Sequence, residues 1–130
     1  MILTIFTPLY NREGSIKAVY DSLCAQTSQD FEWLVINDGS TDKSGDIMDE
    51  IMRNHNEKFK IRYYKQENLG LNRTLNKATD LVHTPMIMRL DSDDMALPKA
   101  VEQVEYYYPR IEHDETLCSL VFRSVQMGGG

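Results

Sequence analysis

Apolar residues along this chain change their spacing several times, and each change marks an element. Ile2 to Phe6 is a short run of apolar and β-branched residues that stops at Pro8, which predicts a strand. Ile16, Val19, Tyr20 and Leu23 then recur at helical spacing. Phe31 to Ile36 is a second strand, closed by the loop signal Asn37-Asp38-Gly39-Ser40. Ile47, Met48, Ile51 and Met52 form the stripe of a second helix, and Ile61 to Tyr64 a third strand. Leu71, Leu75, Ala78 and Val82 mark a third helix. Met86 to Leu90 is a fourth strand and ends at Asp91-Ser92-Asp93-Asp94. Pro98 suits the first turn of a helix whose apolar face is Val101, Val104 and Tyr108. Leu117 to Val125 reads as a fifth strand, and Met127-Gly128-Gly129-Gly130 as an end or a cut.

Strands and helices therefore alternate, which predicts an α/β fold: a mostly parallel sheet with helices on both faces, in one domain over residues 1–130. Crossovers in such a sheet are right-handed. Ligands bind beyond the carboxyl ends of the strands, where the strand order reverses. If the first strand lies between the second and fourth, three polar loops line one crevice. They are Thr7 to Glu13, Asn37 to Asp42, and Asp91 to Asp94.

Composition narrows the ligand. The 130 residues are 42% hydrophobic and 26% charged, which is ordinary for a globular domain. A chain of this size buries roughly two-thirds of its unfolded surface, enough for a core. The formal net charge is −6. Duplex nucleic acid is excluded as a partner, because affinity there comes from Lys and Arg meeting phosphates. Phosphate ligands remain open if a metal ion stands between them and the carboxylates. Cys24 and Cys118 are far apart among apolar residues and read as reduced, buried thiols. There is no basic leader, and nothing approaches the roughly 18 apolar residues of a membrane span, so the reading is cytoplasmic.

The loops carry the chemistry. Three carboxylates within four residues, Asp91, Asp93 and Asp94, repel one another unless a cation sits among them. Hard oxygen ligands suit Mg or Mn, which share substrate phosphates. The same residues also fit a solvated turn. Asp38 ends a buried strand and reads equally as a turn residue or as an acceptor for a base or ribose. Ser40, Thr41 and Asp42 read as caps of the next helix. Tyr10 offers a ring for stacking or for the core, and Glu13 a first-turn acid. The histidines show no metal spacing. Walker and GxGxxG patterns are absent.

Four segments in order resemble the family 2 glycosyltransferases, inverting enzymes of the Rossmann-like GT-A fold. Thr4-Ile5-Phe6-Thr7-Pro8-Leu9-Tyr10-Asn11 is similar to the family's first strand and P-x-Y-N turn. Asn37-Asp38-Gly39-Ser40-Thr41-Asp42 is similar to its D-D-G-S-T-D segment, and Asn68-Leu69-Gly70 to its N-x-G helix start. Asp91-Ser92-Asp93-Asp94, with the trailing Pro98, is similar to its D-x-D-D segment. The resemblance runs from Thr4 to about Val104. Asn37 departs from it, standing where the family has the first Asp of its pair.

The resemblance implies a nucleotide-sugar donor, UDP-linked by expectation, and a saccharide or lipid-linked acceptor. It implies a role in bacterial surface polysaccharide synthesis, with the acceptor at the inner membrane face. Pro8, Tyr10 and Glu13 would border the base, and Asp38 would bond the uracil. Asp91 and Ser92 would meet the ribose or diphosphate, and Asp93 would ligate Mn or Mg. The family's general base lies further along its chains, so the expectation is a truncated piece with its catalytic base beyond residue 130. A donor-binding fragment without turnover is the first rival. A sugar nucleotidyltransferase needs a Gly-rich basic first loop, and a receiver domain needs an acid pair there. Pro8 to Gly14 holds one glycine, one arginine and one acid.

Overall fold

In a computed structural model, residues 1–111 and 125–126 are described. Strands β1 (Leu3–Leu9), β2 (Phe31–Asp38), β3 (Lys60–Gln66) and β4 (Met86–Arg89) form one sheet in the order β3-β2-β1-β4, with every pairing parallel. The first strand does lie between the second and fourth. Helices α1 (Ile16–Cys24), α2 (Ser44–Asn54), α3 (Leu71–Leu81) and α4 (Ala100–Ile111) fill the connections. A two-residue strand β5 (Asp94–Met95) pairs antiparallel with β6 (Val125–Gln126). Apart from Val125, the strand expected at Leu117 to Val125 lies outside the described residues, as do Cys118 and His113.

The period of two along the strands sorts side chains onto the faces. Leu3, Ile5 and Leu9 of β1, Phe31, Trp33 and Val35 of β2, and Met86 and Met88 of β4 pack into one core with α1, α2 and α4. Phe6, Leu34 and Ile36 point the other way and meet α3 through Ala78, Leu75 and Leu81. Helices thus cover both faces. All eight residues of β2 are buried. The Trp33 indole, fully buried, donates to Thr7 Oγ1 at 2.9 Å, so its N–H is satisfied.

Several expectations need correction. Pro98 precedes α4, which begins at Ala100. Pro8 does not end the first strand, which runs through it to Leu9. The reason is parity. The Ile2 and Phe6 carbonyls accept from Met86 and Leu90 on the β4 side. Pro8, two residues beyond Phe6, faces that same side, where the β4 pairing has stopped at Phe6↔Arg89. Its missing N–H therefore costs no ladder bond. In α3, Leu71 is 47% exposed and leaves the apolar stripe, and Thr74 takes the buried position instead. Cys24 is a free, half-buried thiol whose pKa burial pushes up, which keeps it protonated. No helix among the described residues is long and apolar enough to cross a membrane.

Candidate functional site

The cavity of interest opens at the carboxyl ends of β1, β2 and β4, with a volume of about 330 Å³. Pro8 and Leu9 line it from the end of β1, Tyr10 and Arg12 from the loop that follows, Asp38 from the end of β2, and Arg89, Asp91, Ser92 and Asp93 from the end of β4 and its turn. Leu71 and Thr74 close it from α3. Six of the seven residues singled out in the sequence thus meet in one place. Glu13 does not line it. Its carboxylate accepts from the Lys43 N–H at 3.2 Å, at the start of α2.

Side-chain acceptors lace the first two loops together. Asn11 sits in the left-handed region (φ 51), and its Oδ1 accepts from the Thr41 N–H at 2.8 Å. Ser40 Oγ accepts from the Asn11 N–H and Ser44 Oγ from the Arg12 N–H, at 3.0 and 2.8 Å. Asp42 accepts from the Ser44 N–H at 2.8 Å, but the capping position of α2 is held by Lys43, so none of Ser40, Thr41 and Asp42 is the cap expected there. Asn37 is buried with both ends of its amide engaged: Oδ1 accepts from the Ser40 N–H and Nδ2 donates to the Tyr63 hydroxyl. Gly39 is required at φ 72, because an added Cβ would lie 2.7 Å from the Asn68 nitrogen.

Asp38 is 6% exposed and holds the approach to α3. Its Oδ1 accepts from Gln66 Nε2 at 2.9 Å and the Leu69 N–H at 2.8 Å, and its Oδ2 from the Gly70 N–H at 3.1 Å. Burial pushes this carboxyl up, but the hydrogen bonds outweigh it, so its pKa lies below the ordinary carboxylate value.

The loop after β4 is a turn closed by the Asp94 N–H donating to the Asp91 carbonyl at 3.1 Å. Ser15 Oγ donates to the Ser92 carbonyl at 2.6 Å and ties the turn to α1. The turn brings one carboxylate oxygen each of Asp91, Asp93 and Asp94 within 4.8 Å of one another. Asp94 is 8% exposed, and its Oδ1 is buried with no partner among the described residues. An orphaned buried carboxylate oxygen beside two more carboxylates fits a hard divalent cation.

Sequence reasoning missed Leu9, Arg12, Leu71, Thr74 and Arg89 as cavity residues. No local signal marked Arg89, whose place at the cavity wall follows from the register Phe6↔Arg89 at the end of β4.

The fold and site define an open parallel α/β sheet with an acid-lined cavity where the strand order reverses. The family model described as Glycosyl transferase family 2 matches residues 4–128. The teichoic acid poly(glycerol phosphate) polymerase of Staphylococcus epidermidis is 40% identical over 93 residues, 71% of this chain and 13% of that protein. S. aureus TarS 1-349 in complex with UDP-GlcNAc superposes with a TM-score of 0.75 at 24% identity, over 85% of this chain and 32% of that one. The mannosyltransferase PcManGT from Pyrobaculum calidifontis, in complex with GDP-Man and Mn2+, superposes with a TM-score of 0.73 at 19% identity, over 86% of this chain and 32% of that one. The chain belongs to glycosyl transferase family 2, and its fold is the GT-A fold expected of that family. It spans about a third or less of each of these relatives.

Proposed function

We propose that this chain is the donor-binding part of an inverting glycosyltransferase that takes a nucleotide sugar, UDP-linked by preference. One observation carries the reading: Pro8, Tyr10, Asp38, Asp91, Ser92 and Asp93 share one cavity at the carboxyl ends of three parallel strands. Tyr10 is exposed at the cavity rim and offers a ring to the base. Asp38 lines the cavity, and a carboxylate there suits a ring N–H such as that of uracil. Asp91 and Ser92, which line the same cavity, would meet the ribose or diphosphate.

A divalent cation, Mn or Mg, held by Asp93 with Asp91 and Asp94 would supply positive charge against the departing diphosphate. The Mn2+ of PcManGT supports that choice of ion, and the UDP-GlcNAc of TarS supports the donor class. The acceptor is a saccharide or a lipid-linked saccharide of bacterial surface polysaccharide synthesis, a reading supported by the teichoic acid relative. The proposed site of action is the cytoplasm, at the inner membrane face. The share of its relatives that this chain spans favours a second reading for the chain alone: donor binding without turnover.

Calorimetric titration of UDP with Mn2+, and again with chelator, tests this. The expected result is metal-dependent binding that Asp93→Ala abolishes, with GDP and ADP weaker. Absence of UDP binding by the folded chain overturns the reading. Product from candidate acceptors separates turnover from binding alone.

A further inference from the structure

The donor reading leaves a charge problem. A divalent ion brings two positive charges to three clustered carboxylates, and a diphosphate adds further negative charge. The remaining attraction has to come from protein cations, and the cavity wall holds two arginines, Arg12 and Arg89.

The two differ in how they are held. Arg12 is exposed on a loop, and among the described residues no bond from its guanidinium is seen. Arg89 ends β4, where Met86 and Met88 are buried and Ile87 and Arg89 point to the opposite face. The register Phe6↔Arg89 places it on the α3 face, beside Pro8 two residues further along β1. Its Nε donates to Asp91 Oδ1 at 2.6 Å. Among the described residues its two Nη groups have no acceptor, which leaves four N–H donors at the cavity wall. The side chains of Arg89 and Asp91 are 44% and 42% exposed, so the pair contributes little to stability. Its consequence is orientation: a planar fork of donors held at a strand end on the cavity wall.

We propose that Arg89 is a phosphate-binding residue of the donor site, held ready by Asp91, and that it couples nucleotide to metal. This rests on the donor reading above. Without nucleotide, the guanidinium partly neutralises Asp91 and weakens the cluster's hold on a free cation. With a diphosphate present, the Nη groups donate to phosphate oxygens, and the cation binds together with the nucleotide. Arg89 therefore works for the diphosphate and against the metal alone, so its removal has opposite effects on the two.

The test compares the unaltered chain with Arg89→Ala and Arg89→Lys. UDP and uridine binding is followed by amide NMR shifts in Mg2+, and Mn2+ alone by electron paramagnetic resonance of the free ion. Arg89→Ala is expected to weaken UDP about tenfold to a hundredfold, the size of a charge-assisted hydrogen bond to phosphate. It should leave uridine within about twofold and bind Mn2+ alone more tightly, since only the phosphate contact and a like charge are lost. Arg89→Lys, with a charge but no fork, should recover part of the UDP affinity. UDP affinity unchanged in Arg89→Ala overturns the proposal. So do equal losses for UDP and uridine, or weaker Mn2+ binding, because both mark a merely structural role. An unaltered chain that fails to bind UDP overturns the donor reading and this inference together.

Discussion

Asp38→Asn removes a charge and no volume, and it strikes the side chain on which the start of α3 depends. In the native chain, three donors converge on this buried carboxylate: Gln66 Nε2 and the Leu69 and Gly70 N–H groups. Asparagine keeps one oxygen for Gln66 and Leu69 and sets an NH2 against the Gly70 N–H. The two surviving bonds lose charge assistance, at about 1 kcal/mol each, and a facing donor pair adds at least about 1 kcal/mol. Leu69 is exposed, so water relieves part of this, and the expected loss is about 3 kcal/mol. That is a large share of the roughly 5–15 kcal/mol of a typical domain.

Urea unfolding of both chains measures the difference, and pH provides the internal control. The folded pKa of Asp38 lies below its unfolded value of about 3.9. A depressed carboxyl contributes stability that is present above the unfolded pKa and is lost as pH falls through the folded one. The gap between the two chains should stay constant from pH 7 to about 5 and narrow below about 4. A gap under about 1 kcal/mol at pH 7, or one that ignores acid, would refute the claim that the charged carboxylate organises this loop.

Other outcomes follow from the same geometry. Gly39→Ala should destabilise by at least about 2 kcal/mol, since it combines a left-handed backbone with a Cβ 2.7 Å from the Asn68 nitrogen; thermal unfolding reads this. Thr7→Val should cost about 1–3 kcal/mol in urea unfolding, because it keeps the shape and leaves the buried Trp33 N–H without an acceptor. Asp93→Ala should unfold at nearly the native temperature, since Asp93 is exposed, while calorimetry shows the metal dependence of UDP binding gone. Glu13→Gln should change UDP affinity by only about twofold in the same titration, because the carboxylate serves the Lys43 N–H outside the cavity.

Much of this was legible in the residues because the signals are local. Apolar runs and stripes marked the four parallel strands and four helices, since a strand buried on both faces, such as β2, has no polar alternation to hide it. The acid turn after β4 was visible because its carboxylates are neighbours in sequence. What stayed hidden depends on register and parity. Pro8 looked like a strand end because its harmless orientation follows from where β4 stops. Arg89 was overlooked because its place in the cavity depends on pairing with Phe6, 83 positions earlier. Asp38 was ambiguous because its donors at Leu69 and Gly70 lie 31 and 32 residues away. Glu13 sits in the loop expected to border the base, and only the bond to Lys43 shows which way it turns.

The central claim is that the cavity at the ends of β1, β2 and β4 holds a nucleoside diphosphate through a metal on the acid turn. A crystal structure of the chain grown with UDP and Mn2+ tests it most directly. The account predicts the base between Tyr10 and Asp38, the diphosphate beside Arg89, and the ion on Asp93. Nucleotide bound elsewhere, or bound in this cavity with no ion touching Asp91, Asp93 or Asp94, would contradict it.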